Sequence, residues 1–221
     1  MTAFLYPFID AEERNPSALL ADLARSAEGK ATESRDLRMH TLATAAGTIE
    51  AAGGAIAECF RTGARLFAFG NGGSSTDAAG VAALFVRPPS GPSLPARSLA
   101  ADTAVLTALG NDVGFDLVFS RQLIAYARTG DIALGLSTSG SSENLAVAFA
   151  EAHKRGLLTV GLAGFDGGRM AASPDIDHCI VVRSDSVHRI QEAQAAVIVA
   201  LWERVHRSLA GERLDERADV S

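Results

Sequence analysis

Between Gly130 and Leu145 the chain reads Gly-Asp-Ile-Ala-Leu-Gly-Leu-Ser-Thr-Ser-Gly-Ser-Ser-Glu-Asn-Leu, and this stretch narrows the possible folds more than any other. An apolar run, Ile132 to Leu136, stops at five hydroxyl residues set around Gly140. Leu145 to His153 then follows helical spacing. The sequence predicts a strand, a polar turn and a helix N-terminus. Free backbone N–H groups, the positive end of a helix dipole and hydroxyl donors would converge there, which suits a phosphate. No lysine lies in the turn, so neutral donors would do the holding.

The rest of the chain repeats this alternation. Apolar runs at Leu66–Phe69, Ile132–Leu136, Thr159–Ala163 and Cys179–Val182 read as strands, and Arg97–Ala100 as a further short one. Helical segments separate them, save a short turn at Gly167-Gly168 after the fourth. Continuously apolar strands joined by helices imply a parallel sheet covered on both faces, a doubly wound α/β fold. Ligands bind such sheets beyond the carboxyl ends of the strands. Before the first strand, Ser17 to about Cys59 is Ala-rich and helical, with Asn15 as cap, Pro16 at the first helical position and an interruption near Gly53-Gly54. The closing helix is expected from about Val187 to Leu209. The expected organisation is an arm over residues 1–14, one domain over 15–210 and a flexible tail over 211–221.

Composition excludes several function classes. The net charge of −6 and the scattered basic residues disfavour a nucleic-acid surface. No run of about 18 apolar residues points to a membrane, and no basic segment leads into an apolar one at the N-terminus. Two cysteines, Cys59 and Cys179, read as two buried thiols of a reduced compartment. The expected location is the cytoplasm.

A second turn, Gly70-Asn71-Gly72-Gly73-Ser74, follows the first strand. It is either a close backbone approach to a ligand or a tight strand-to-helix turn with Ser74 or Ser75 as cap. It completes neither a dinucleotide fingerprint nor a nucleotide P-loop. Both turns leave carboxyl ends of strands and can line one crevice. Asp102 fits a sugar hydroxyl and a helix N-cap equally well. His153, His178 and His206 are isolated and read as surface or satisfied positions, and Asn111-Asp112 as a cap or turn. Ala195, Val199, Trp202 and Val205 form an apolar stripe beyond the needs of one sheet face, which fits helices packed between subunits.

Gly70-Asn71-Gly72-Gly73-Ser74, Asn111-Asp112-Val113-Gly114-Phe115, Gly130-Asp131, Ser137-Thr138-Ser139-Gly140 and Arg189-Ile190-Gln191-Glu192 occur in this order. Together they make residues 20–208 resemble a sugar isomerase (SIS) domain of the phosphoheptose isomerase type. The resemblance implies a flavodoxin-like sheet of five strands with an N-terminal helical extension, a four-subunit assembly (a dimer being the alternative), and a sugar-phosphate ligand such as sedoheptulose 7-phosphate. It also implies that Ser74, Ser137, Thr138, Ser139 and Ser142 hold the phosphate beside Gly72 and Gly73. Asn71, Asp102 and Gln191 would face the sugar.

The departures from that family concern its metal-supported acid/base groups. The family's His and Glu on the helix after the glycine loop correspond to Gly80 and Leu84, and a second His, eight residues after Gln191, to Val199. An Asp three residues before Gln191 is replaced by His188. Gln191 alone remains, and one amide is no site for a divalent metal. No cofactor is therefore expected, the family's zinc site included. His188 and Glu192, at i and i+4, are left either as the acid/base pair of an aldose–ketose isomerisation or as a solvated surface pair. Two functions stay open: an isomerase with a rearranged site, and a non-catalytic sugar-phosphate sensor or assembly protein, like the replication-initiator-associating branch of the family.

Overall fold

The structure, a computed structural model, describes residues 16–218; the arm expected over residues 1–14 and the Asn15 cap lie outside the described residues. Among the described residues, those up to Asp36 and those from Leu37 onward form two compact units. Elements follow in the order α1 (Pro16–Thr44), α2 (Ala46–Arg61), β1 (Leu66–Gly70), α3 (Gly73–Val86), β2 (Ala96–Ser98) and α4 (Thr103–Asp112). A 3-10 turn at Phe115–Leu117 leads to α5 (Val118–Tyr126), β3 (Ile132–Ser137), α6 (Glu143–Lys154), β4 (Leu158–Ala163), α7 (Gly168–Ala171), β5 (His178–Val181) and α8 (Val187–Ala218). The five strands form one parallel sheet in the order β2-β1-β3-β4-β5.

Alternation along the buried strands sorts their side chains onto two covered faces. Leu66, Ala68, Leu134, Leu136, Val160 and Leu162 pack against α2, α3 and α8 with Ile56, Phe85, Leu201 and Trp202. Phe67, Phe69 and Ala133 face the other way, onto Phe119, Leu123 and Phe149 of α5 and α6. There the Phe69 ring lies 5.4 Å from Phe119 and 5.2 Å from Phe149. Gly135 opens the space for that group: a Cβ on it would stand 2.5 Å from Phe149 and 2.9 Å from Phe69. Near the amino ends of the strands, the buried Asp131 takes Arg65 Nη2 at 2.7 Å and the Arg65 and Arg128 N–H groups, each at 2.8 Å. The Gly130-Asp131 dipeptide thus serves the scaffold.

Two boundaries differ from expectation. The N-terminal helical segment breaks at Ala45, and Gly53-Gly54 lies inside α2. Gly53 is explained by helix contact, because a Cβ on it would meet Arg204 Cγ of α8 at 2.5 Å. At the other end, α8 runs to Ala218, so the segment expected as a flexible tail is helical as far as that residue. No Gly or Pro after Gly211 interrupts its run of good helix formers. The apolar stripe on α8 divides: Trp202 and Val205 are core, while Ala195 and Val199 face outward. His206 is partly buried, with its ring nitrogens each 3.1 Å from a carbonyl oxygen, those of Trp202 and Pro92, and a neutral ring donates to one of the two.

Candidate functional site

Gly70 of β1 and Leu136 of β3 are register partners on adjacent parallel strands, so the glycine and serine turns leave the sheet side by side. At Gly70 a Cβ would fall 2.7 Å from the Ser74 carbonyl oxygen and 2.8 Å from that of Leu136. Only glycine lets the chain turn there so tightly. Gly72, at φ 54° and ψ −124°, is the N-cap residue of α3, so the cap is not Ser74 or Ser75. Ser74 is buried, and the Ser75 hydroxyl donates to the Gly72 carbonyl at 2.6 Å.

Asn71 reaches across to α6. Its Nδ2 donates to Asn144 Oδ1 at 2.9 Å, and Asn144 Nδ2 returns a bond to Asn71 Oδ1 at 2.9 Å. Asn144 is only 2% exposed, and this pair fastens the glycine turn to the helix that follows the serine turn. On the other side, Gln191 of α8 lies on Gly73, where a Cβ would meet its Nε2 at 2.5 Å. That amide donates to Asp77 Oδ2 at 2.9 Å. Three distant segments therefore meet at the glycine turn.

In the serine turn, Ser137 ends β3 and is buried, and its Oγ accepts the Gly140 N–H at 3.1 Å. The same Oγ lies 3.3 Å from Ser139 Oγ and 3.4 Å from Ser142 Oγ. Ser139 Oγ also accepts the Ser141 N–H at 3.3 Å. Ser142 occupies the N-cap position of α6, yet its hydroxyl caps no N–H of the helix. Three hydroxyls thus gather at a helix end whose first N–H groups retain their donor capacity. Thr138 is half-buried beside them. A dianion placed here meets donors and the helix dipole together.

Glycines hold this turn against the loop after β4. Gly140 has φ +63°, and a Cβ there would lie 2.2 Å from the Gly167 carbonyl oxygen. Met170 N–H donates to the Gly140 carbonyl at 2.9 Å. Behind the turn, Gly140, Ser142, Phe149, Met170 and the Glu143–Arg169 ion pair border a cavity of about 440 Å³.

Other predicted site residues take structural partners. Asp102 is the N-cap of α4, with Oδ1 accepting the Val105 N–H at 3.1 Å. Asn111 donates to Asp112 at 2.8 Å at the end of α4. His188 and Glu192 both lie exposed on the first turns of α8, where Glu192 takes Arg189 Nη1 through both carboxylate oxygens, at 2.7 and 2.6 Å. Gly80 is exposed with open space at its Cβ position, Leu84 packs against the core, and Val199 is 46% exposed. These three offer no donor, and Gln191 and Asp77 are bonded to each other. Such a set does not fit a divalent metal. Sequence reasoning missed Asn144, Asp77 and the Gly164–Gly168 loop. A polar residue in the first turn of a helix reads as a surface position until the partner strand is known.

Residues 31–164 match the SIS domain family. The phosphoheptose isomerase of Roseiflexus sp. is 40% identical over 178 residues, covering 79% of this chain and 88% of that protein. That of Sulfurimonas denitrificans is 45% identical over 145 residues, 65% of this chain and 73% of that one. Among solved structures, phosphoheptose isomerase from Neisseria gonorrhoeae superposes with a TM-score of 0.77 at 34% identity, covering 83% of this chain and 98% of that chain.

Proposed function

This chain belongs to the SIS domain family and, within it, to the phosphoheptose isomerases, and from that membership we propose that it binds sedoheptulose 7-phosphate or a closely similar phosphorylated sugar in the crevice between its glycine and serine turns. The observation that carries the reading is the gathering of the Ser137, Ser139 and Ser142 hydroxyls at the uncapped start of α6. In this reading Ser74, Ser137, Thr138, Ser139 and Ser142 hold the phosphate, with Gly72 and Gly73 allowing close approach. Asn71, Asp102 and Gln191 face the sugar hydroxyls. The ligand is held without a metal ion. The protein works in the cytoplasm, and as a homo-oligomer, the latter supported by the outward Ala195 and Val199 and by α4, which has no buried residue.

Conversion of ketose to aldose needs a base that removes a proton from one sugar carbon and an acid that returns it to the neighbour. The groups on offer for that exchange are His188 and Glu192. A second reading, a sugar-phosphate sensor without turnover, is favoured by the ion pair that occupies Glu192 and by the donor-free positions Gly80, Leu84 and Val199. Calorimetry with several phosphosugars, with isomerisation assayed in the same samples, tests both. Binding with turnover that is lost in Glu192→Gln supports the isomerase. Binding without turnover, with or without added zinc, supports the sensor. Absence of binding to any phosphosugar overturns the proposal.

A further inference from the structure

Among the described residues, Phe165 is the one non-glycine residue with a positive φ, at 50°. A bulky side chain there is a backbone outlier that glycine or asparagine would relieve. The residue sits in a four-residue turn closed by the Gly167 N–H donating to the Gly164 carbonyl at 2.8 Å. Phe165 is 37% exposed, and its ring stacks on no other ring among the described residues.

Its place in the fold is specific. Ala163 is the register partner of Ser137, the first serine of the proposed phosphate turn, so Phe165 follows two residues beyond that partner, at the carboxyl end of β4. Gly164, between them, is tied to the serine turn at two points. Its N–H donates to the Ser137 carbonyl at 3.1 Å, and a Cβ on it would lie 2.3 Å from the Thr138 carbonyl oxygen. The loop carrying Phe165 is therefore fastened to the serine turn. Neighbouring strands are about 4.8 Å apart, which puts this aromatic within the length of a small phosphorylated ligand anchored at the turn.

Strained backbone kept next to a binding turn points to a role in binding, since the fold by itself would favour a smaller residue. We infer that Phe165 is a specificity-determining platform: its ring takes the apolar C–H face of the sugar whose phosphate is held by the serine turn. The inference rests on the reading of Ser137–Ser142 as a phosphate site. It assigns phosphate capture to β3 and α6, and discrimination among phosphorylated compounds to the turn after β4. A ligand lacking a carbon skeleton, such as inorganic phosphate, makes no use of the ring.

The test uses the full chain and the variants Phe165→Gly, Phe165→Asn and Phe165→Leu, with calorimetry against inorganic phosphate and sedoheptulose 7-phosphate and thermal unfolding of each protein. Removing the ring is expected to weaken the sugar phosphate roughly three- to tenfold, as loss of a modest apolar contact would. Inorganic phosphate affinity stays within about twofold, and the Gly and Asn variants unfold at the same or a higher temperature because the backbone strain is gone. The Leu variant keeps part of the affinity. Unchanged sugar-phosphate affinity in the Gly and Asn variants overturns the inference. Equal weakening of both ligands also overturns it, because Phe165 then shapes the turn and touches no sugar. A wild-type chain that binds neither ligand refutes the phosphate site itself, and this inference with it.

Discussion

Asn71 and Asn144, 73 positions apart in sequence, exchange two amide hydrogen bonds of 2.9 Å each. The exchange uses the side-chain carbonyl of both residues and one N–H of each. Strand pairing of β1 and β3 sets the glycine and serine turns side by side, and this amide pair ties them together beyond the ends of the strands. The amide pair does so in a buried setting, where a missing partner is costly.

Asn144→Ala should therefore lower stability by about 1–3 kcal/mol, the cost of leaving a half-buried amide unsatisfied. It should also weaken sugar-phosphate binding more than phosphate binding, because Asn71 loses its orientation. Denaturant unfolding and calorimetry on the same variant check both effects.

The serine hydroxyls should act as a group. Ser139→Ala and Ser142→Ala each remove one donor and should weaken inorganic phosphate about three- to tenfold with little change in stability, since the one N–H that Ser139 accepts, that of Ser141, is exposed and can turn to water. Ser137→Ala should cost both affinity and stability, because its Oγ also accepts the Gly140 N–H at 3.1 Å. Phosphate titrations beside thermal unfolding separate the two kinds of loss.

Two glycines should respond in opposite directions. Gly140→Ala places a Cβ 2.2 Å from the Gly167 carbonyl oxygen at a φ of +63°, and a loss of about 2 kcal/mol or more is expected. Gly80→Ala meets nothing within 4 Å inside a helix and should raise stability by about 0.5–1 kcal/mol. Chemical denaturation of the two variants against the parent decides the signs.

Both cysteines are free thiols. Burial raises Cys179 from an ordinary value of 9.0 to about 11. Burial, with Glu58 adding to it, also raises Cys59. Folded thiols that keep their protons stabilise the fold fully below pH 9.0, and that contribution is lost as pH rises toward about 11. Alkylation of the native protein should accordingly be slow at neutral pH, with fast labelling only after denaturation. Mass spectrometry after timed alkylation at pH 7.5 and pH 10 reads this directly.

Much of the scaffold was legible along the chain because parallel strands are buried on both faces. Leu66–Phe69 and Ile132–Leu136 carry that burial as unbroken apolar runs, and the serine turn announces itself by holding more hydroxyls than a helix cap uses. The Gly53-Gly54 pair misled for a physical reason. A glycine that breaks a helix and a glycine that admits a neighbouring helix look alike until Arg204 is found against it. Asp102 fits a cap and a sugar ligand equally well in sequence, and its bond from the Val105 N–H shows that it caps α4.

The doubly wound sheet, the two turns at its carboxyl edge and the donor-free positions Gly80, Leu84 and Val199 are written in local residue types and spacing. Only the tertiary structure decided which residues lock those turns together. Asn144 on Asn71, Gln191 on Gly73 and Asp77, Gly167 on Gly140 and the strained Phe165 all depend on strand register and helix placement, and long-range contacts of that kind leave no periodic trace in the chain.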